Sequence, residues 1–113
     1  MKSITILGGG IAGLTTAIAL RRIGIASTVF EAAPEIRPVG AGLGLGANAI
    51  QAFKALGLRD ELVARGRALN ALSILDAWGK VISRTQSASS TGNDTYAIHR
   101  AELQDLLLSH LAP

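Results

Sequence analysis

The apolar and polar positions of the first 31 residues follow a strand period, then a helix period, then a strand period again. Residues 4–7 are apolar and β-branched at alternate positions, which is typical of a strand buried on both faces of a parallel sheet. A glycine-rich turn follows at residues 8–13, and apolar residues then recur at helical spacing until Gly24. Residues 27–31 are predicted to form a second strand, which ends in an acid. The pattern predicts two parallel strands joined by a right-handed helical crossover.

The glycine turn has the Gly-x-Gly-x-x-Gly spacing of dinucleotide-binding proteins. Gly8 allows a sharp turn off the first strand, Gly10 lets a pyrophosphate approach the backbone, and Gly13 lets the helix pack closely on the strands. The helix then begins at Ile11 and Ala12, whose unpaired amides, together with the positive end of the helix dipole, suit a diphosphate.

Glu31 supplies the second part of this signature. It lies 18 residues after Gly13, where a carboxylate can accept hydrogen bonds from an adenosine ribose. A carboxylate there disfavours NADP as the tightly bound ligand, because the 2′-phosphate would face a negative charge. A flexible glycine loop is the alternative, and it leaves Glu31 unexplained. We therefore predict a nucleotide-binding βαβ unit.

The middle of the chain has weaker patterns. Residues 32–46 contain two prolines and four glycines without periodicity, which predicts a long loop. Its glycines at 40–46 either let the backbone run close to a flat ligand or form a flexible connector. Asn48 is predicted to cap a helix that ends at Gly57. One or two further helical turns are expected over residues 58–64.

The last third begins with a hairpin pattern. Residues 71–76 and 80–84 alternate around a short turn, which predicts a β-hairpin belonging to a second sheet. Residues 86–95 are predicted to be a loop and residues 96–98 a short strand. Arg100 then opens a helix with an apolar side, which is formed by Leu103, Leu106, Leu107 and Leu111.

Composition excludes several classes of function. The chain has 113 residues, 49% of them hydrophobic and 17% charged, which is typical of one globular α/β domain. The absence of cysteine excludes disulfides, thiolate catalysis and cysteine-bound metal. His99 and His110 lack metal-ligand spacing, and His110 is expected to be exposed at a helix end. The net charge of +3 is scattered, so no nucleic-acid surface is indicated.

Residues 3–20 carry no charge, so a signal peptide or a membrane helix must be considered. Three consecutive glycines interrupt this run, each unfavourable in a helix by about 1 kcal/mol, and no cleavage-site pattern ends it. We therefore expect a cytoplasmic protein without a membrane segment.

The predicted parallel sheet is incomplete. Only two parallel strands are indicated, whereas a doubly wound sheet needs a further strand after the last helix. We expect residues 1–113 to be the N-terminal part of a dinucleotide-binding domain in a longer protein, or a truncated reading frame. The exposed strand edge and apolar helix faces should then make the isolated chain self-associate or lose stability.

Four stretches together resemble a known family. They are residues 6–14, 30–34, 39–49 and 98–103, and the last two, in this order and spacing, are more selective than the first. In these stretches the chain is similar to the N-terminal third of the FAD-dependent aromatic hydroxylases, the single-component flavin monooxygenases related to p-hydroxybenzoate and salicylate hydroxylase. One departure is Ala47, which stands where many relatives have proline.

The resemblance implies a Rossmann-type FAD-binding βαβ unit with tightly bound FAD. The glycines of the turn would hold the pyrophosphate and Glu31 the ribose. Arg100 would lie beside the cofactor and complement its charge, and Ala32, Arg37 and Gly42 would also contact it. For Arg37 a solvent-exposed position is an equally good reading. Arg100 would otherwise be an exposed cation in a first helical turn, which is unfavourable next to the helix dipole.

The resemblance also implies an activity, namely reduction of FAD by NAD(P)H and hydroxylation of a small aromatic substrate with O2. The two later motifs of the family and most of its substrate domain are missing from this chain, and no catalytic acid or base is identified. A truncated nucleotide-binding module without turnover therefore stays open as an alternative. An ordinary NAD-dependent dehydrogenase is disfavoured by the glycine run at 40–46 and the hairpin at 71–84.

Overall fold

The computed structural model describes residues 2–35, 41–86 and 95–111, so Arg37 and most of the loop predicted at 86–95 lie outside the described residues. In chain order the elements are β1 (Ser3–Leu7), α1 (Ile11–Arg22), β2 (Ala26–Phe30), β3 (Gly42–Leu45), α2 (Ala47–Ala55), α3 (Arg59–Arg65), β4 (Arg67–Ala68), β5 (Ala71–Leu75), β6 (Val81–Gln86), β7 (Tyr96–His99) and α4 (Arg100–Ser109).

The predicted βαβ unit is confirmed. β1 and β2 pair in parallel, from Ser3 opposite Ala26 to Leu7 opposite Phe30. Gly24, just after α1, adopts the left-handed conformation with a φ of 78°, as expected for a glycine that ends a helix. The helix therefore ends where the sequence predicted.

Gly13 lies where α1 approaches the end of β1 closely. A Cβ atom at this position would overlap the carbonyl oxygen of Gly8, and it would lie 3.4 Å from Cγ2 of Ile6. The glycine is thus required by packing, and the expectation that it allows a close approach of helix and strand is confirmed.

The expectation that the first strand is buried on both faces is wrong for this chain. Leu7 is 84% exposed and Ile4 is 40% exposed, and Phe30 of the neighbouring strand is 57% exposed. The physical reason is that α1 packs on one face of the β1–β2 pair, whereas no described element covers the other face.

Residues 42–45, predicted as part of a loop, form a strand instead. β3 pairs antiparallel with β7, and β7 pairs antiparallel with β4, so the three strands form a second sheet in the order β3-β7-β4. Leu43 and Leu45 pack against the core, while Gly42 and Gly44, which alternate with them, are exposed. The alternation was a strand period, but glycine has a low strand propensity and concealed it. The two-residue strand β4 is too short to show a period at all.

The helix predicted to begin after Asn48 begins earlier. Gly46 is the residue before the first turn, no side chain caps it, and α2 starts at Ala47. Asn48 therefore lies inside the first turn, and the predicted cap is wrong. The predicted stop is confirmed, because Gly57 has a φ of 75° directly after Leu56, the C-cap residue of α2. The helical turns expected over residues 58–64 are confirmed as α3, which ends at Gly66.

The core lies between the four helices and the β3-β7-β4 sheet. The predicted inward side of the last helix is confirmed for Leu103, Leu106 and Leu107, whose exposed fraction is 0%. Leu111 is only partly buried. The cluster of buried side chains comprises Leu14, Ile18, Ile50, Phe53, Leu58, Leu62, Tyr96, Ile98, Leu103, Leu106 and Leu107.

The predicted hairpin is confirmed as a sheet of its own, made of β5 and β6 with a register shift near Leu75. Its turn is tied by the Asp76 carboxylate, which accepts hydrogen bonds from the amides of Trp78 and Lys80, both at 2.9 Å. Large apolar residues on both strands are exposed, and Trp78 at the tip is 91% exposed.

We expect Gly13→Ala to lower the free energy of unfolding by about 1–3 kcal/mol, because the added methyl must displace the Gly8 carbonyl. Gly44→Ala is the matched control, since a Cβ there meets nothing within 4 Å, and it should change stability by no more than about 0.5 kcal/mol. Urea denaturation of both variants measures the difference. Equal stabilities would show that helix and strand can separate at Gly13 without loss.

We also expect the isolated chain to self-associate or to unfold readily, because apolar side chains of β1, β2 and the hairpin are exposed together. Sedimentation velocity over a range of concentrations should show an average mass that rises with concentration. Replacing Trp78 by serine should reduce the association. A monomer at every concentration, melting in one cooperative transition, would contradict this expectation.

Candidate functional site

The site begins at the turn between β1 and α1. Gly8 has a φ of 113°, which favours glycine, and its amide donates a hydrogen bond to the Phe30 carbonyl at 2.7 Å. This bond extends the pairing of the two parallel strands by one residue while the chain already turns towards the helix. The predicted sharp turn at Gly8 is confirmed.

The next peptide groups are held from two sides. The Gly9 amide donates to Oε2 of Glu31 at 2.6 Å, and the Gly9 carbonyl accepts a hydrogen bond from Nε2 of Gln104 at 3.1 Å. Gly9 itself is buried. The backbone of the turn is therefore fixed by one side chain from the end of β2 and one from α4.

The start of α1 presents amides that take part in none of the hydrogen bonds among the described residues. The Gly10 carbonyl accepts the first helical bond, from the amide of Leu14 at 3.0 Å, and no side chain caps the helix. The amides of Ile11 and Ala12 have no partner within a helix, because they precede the first complete turn. A Cβ built at Gly10 would meet nothing within 4 Å, so open space lies against this backbone. Such an arrangement can bind an anion.

Glu31 accepts a second hydrogen bond, from the Ala33 amide to Oε1 at 3.1 Å. The amides of Ala33 and Gly9 lower the pKa of the Glu31 carboxyl below its ordinary value of 4.5, although desolvation acts in the opposite direction. The group is therefore an anion at neutral pH. An ionised carboxylate has about four acceptor positions, so Glu31 can still accept hydrogen bonds from a ribose. Ala32, which lies between Glu31 and Ala33 in the sequence, is exposed.

Arg100 and Gly42 approach the same site from the other sheet. The Arg100 amide donates to the Ala41 carbonyl at 3.2 Å, and Gly42 lies opposite His99 in the sheet, so β3 starts beside the first turn of α4. Arg100 precedes Gln104 by four residues, and residues at this spacing share a helix face. Because Gln104 contacts the glycine turn, Arg100 belongs to the helix face that is directed to this turn.

The structure thus brings together most of the predicted site residues. The shared region contains the glycine turn with the start of α1, the end of β2, and the junction of β3 with α4; its predicted members are Gly8, Gly10, Ile11, Ala12, Gly13, Glu31, Ala32, Gly42 and Arg100. Arg37 lies outside the described residues. Gln104 was missed by the sequence reasoning, although its spacing from Arg100 was a usable signal.

The prediction that His110 is an exposed residue is wrong. Its side chain is 34% exposed, Nε2 lies 2.8 Å from Oε1 of Glu61, and its carbonyl accepts a hydrogen bond from Arg21 at 3.1 Å. The C-terminal ends of α1 and α4 meet here, so a residue at a helix end becomes half-buried. This contact lies at the opposite end of α1 from the glycine turn.

An apolar groove of about 880 Å³ runs beside α1, between this helix, β3 and α2. It begins at Ile11 and Ala12 and is lined mainly by alanine, leucine and isoleucine side chains. Its walls do not suit an anion, so the amides at the helix start remain the chemically distinctive feature.

Two kinds of feature are absent from the part of the chain that the structure describes, residues 2–35, 41–86 and 95–111. No group of three or more histidine and carboxylate side chains there has the arrangement of a metal site. Within the same residues, no helix combines the length and the apolar character that crossing a bilayer requires.

We expect the interaction of Glu31 with the turn to make stability depend on pH. Because the folded-state pKa of Glu31 is lowered, its contribution is complete above the ordinary value of 4.5 and is lost as the pH falls through the folded-state pKa. Wild type should therefore exceed Glu31→Gln in free energy of unfolding at neutral pH. This difference should shrink below pH 4.5, because glutamine does not titrate. A difference that stays constant from pH 7 to 3, measured by denaturant titration, would contradict the inferred bonds.

Comparison with known proteins identifies related chains. A family model described as "FAD binding domain" matches residues 1–113. The aurachin C monooxygenase/isomerase of Stigmatella aurantiaca is 41% identical over 93% of this chain and 28% of its own length. The 3-amino-4-hydroxybenzoate 2-monooxygenase of Streptomyces cremeus is 42% identical over 96% of this chain and 29% of its own length.

The fold is also found in solved structures. The tetrameric form of 2-methyl-3-hydroxypyridine-5-carboxylic acid oxygenase superposes with a TM-score of 0.86 at 27% identity, over 97% of this chain and 29% of that one. The present chain spans less than a third of the length of these relatives.

Proposed function

Because the chain belongs to the family of FAD binding domains, we propose that it forms the FAD-binding part of a flavin-dependent monooxygenase. One observation carries this proposal. The turn between β1 and α1 is held at the amide and the carbonyl of Gly9, and open space meets the Gly10 backbone at the start of the helix, beside an anionic Glu31. This pairing of anion-binding amides with a carboxylate suits a ligand that carries both a diphosphate and a ribose.

Different residues of the site would contact different parts of the cofactor. The amides of Gly10, Ile11 and Ala12 would hold the diphosphate, while the Glu31 carboxylate would accept hydrogen bonds from the ribose hydroxyls. Gly8 and Gly13 act indirectly, because they permit the turn and the close approach of α1. These residues bind and orient the cofactor.

Arg100 would face the diphosphate or the ribityl region of FAD, and Gly42 would contact the part of FAD that continues beyond the diphosphate. An arginine in the first turn of a helix is unfavourable next to the positive end of the helix dipole, and a bound phosphate would offset this. Gly42 lies on the side of β3 away from the core, where a flat group can approach the backbone. Ala32, next to Glu31, and Arg37, which lies outside the described residues, complete the proposed contacts.

The reaction is proposed for the whole protein of which this domain would be part. FAD, when bound, supplies the redox chemistry, with NAD(P)H as reductant and O2 as oxidant, and the protein supplies orientation and exclusion of water. A small aromatic substrate is supported by relatives whose names include 3-amino-4-hydroxybenzoate. Residues 1–113 would be the N-terminal part of the cofactor domain, in a protein that we still expect to be cytoplasmic.

We expect the purified chain to retain FAD after incubation and desalting, and to show the visible absorption of bound flavin. Glu31→Ala should weaken FAD binding roughly ten- to hundredfold, because a charged hydrogen-bond acceptor is lost. Arg100→Ala should weaken it roughly tenfold. Fluorescence titration of FAD gives the dissociation constants.

Arg84→Ala is the matched control for Arg100, since it removes an exposed arginine from the β5–β6 hairpin, away from the turn. Its FAD affinity should equal that of the wild type. A colourless wild-type chain that does not retain added FAD would contradict the proposed function for this chain. Unchanged affinity in Glu31→Ala would instead show that the ribose binds elsewhere.

A further inference from the structure

Among the hydrogen bonds of the described residues, one joins a side chain of α4 to the glycine turn, and Gln104 makes it. Its Nε2 donates to the Gly9 carbonyl at 3.1 Å, across 95 positions of sequence. The helix that carries it is fixed by three completely buried neighbours, Leu103, Leu106 and Leu107. The donor is therefore held in place by the core and not by the turn that it contacts.

The position of the Gly9 carbonyl determines the direction of the next amide. The Gly9 carbonyl and the Gly10 N–H belong to one planar trans peptide, in which the two groups point in opposite directions. A hydrogen bond that directs the carbonyl towards Gln104 therefore directs the Gly10 N–H away from α4. This amide adjoins the amides of Ile11 and Ala12 at the start of α1.

The turn needs such a constraint because it contains consecutive glycines. Glycine occupies a wide range of backbone conformations, so the peptide between Gly9 and Gly10 can rotate unless both of its ends are held. The Glu31 carboxylate holds the Gly9 amide, and the Gly10 carbonyl is held by the amide of Leu14. The peptide between these two points carries the Gly9 carbonyl and the Gly10 N–H, and Gln104 is the partner of the carbonyl.

We propose that Gln104 is a positioning residue for the diphosphate of FAD, acting through the Gly9 carbonyl to direct the Gly10 amide at the ligand. The inference rests on the proposed function of the turn as the diphosphate site. Gln104 does not itself touch the ligand in this account. Its effect is preorganisation, because an amide already directed at the phosphate need not be ordered when FAD binds.

The test compares variants of the 113-residue chain that differ in one donor. Gln104→Met keeps the length and helix propensity of the side chain but removes the N–H group. Gln104→His keeps a ring N–H at a similar reach. Gln51→Met is the matched control, because Gln51 is an exposed glutamine on α2. The readouts are the dissociation constants for FAD and ADP and the melting temperature without ligand.

Gln104→Met should weaken both FAD and ADP about three- to tenfold, as expected for one neutral hydrogen bond. Gln104→His should recover most of this loss, and Gln51→Met should equal the wild type. If Gln104→Met does not fold, Gln104→Ala removes the same donor and replaces it in the comparison.

Two results would overturn the proposal. One is an unchanged FAD affinity in Gln104→Met, even with a lower melting temperature, since the hydrogen bond would then serve stability alone. The other is an equal loss in the methionine and histidine variants, since the donor would then be irrelevant. Failure of the wild type to bind FAD is a different result, and it would contradict the proposed function of the turn.

Discussion

The hydrogen bond from the Gly9 amide to the Glu31 carboxylate, 2.6 Å long, joins the turn after β1 to the end of β2. It connects the two parts of the site that the sequence separates by 22 positions. In the proposed function the same carboxylate would also accept hydrogen bonds from a ribose, so one side chain would both stabilise the turn and contact the ligand. The geometry of the helix start depends on this bond, because glycines alone would leave the turn free to change conformation.

The second sheet extends the site beyond a simple βαβ unit. β3 and β7 bring Gly42 to the first turn of α4, and α4 brings Arg100 and Gln104 to the side of the glycine turn. The core that fixes α4 lies between helices and this sheet, not on the parallel strands. Cofactor contacts can therefore come from two sheets, while the parallel pair itself stays largely exposed in this chain.

Much of this arrangement could be predicted from the sequence, namely at those positions where only one type of residue meets the structural requirement. Gly13 and Gly8 were assigned correctly because only glycine fits a close helix approach or a positive φ. β3 was missed because two of its four residues are glycine. Glycine has a low strand propensity, which concealed the alternation that is typical of a strand. The contact of Gln104 was missed because its spacing of four residues from Arg100 indicates a shared helix face, but not how α4 packs across the turn. The exposure of β1 also follows from tertiary contacts and not from its composition.

The central claim is that the amides at the start of α1 bind the diphosphate. The most direct test is an amide nitrogen–proton correlation spectrum of the chain, recorded during a titration with FAD. The account predicts that the amide signals of Gly10, Ile11 and Ala12 shift most, and that those of the β5–β6 hairpin stay in place. Shifts confined to the hairpin, or no saturable shift at the start of α1, would contradict it.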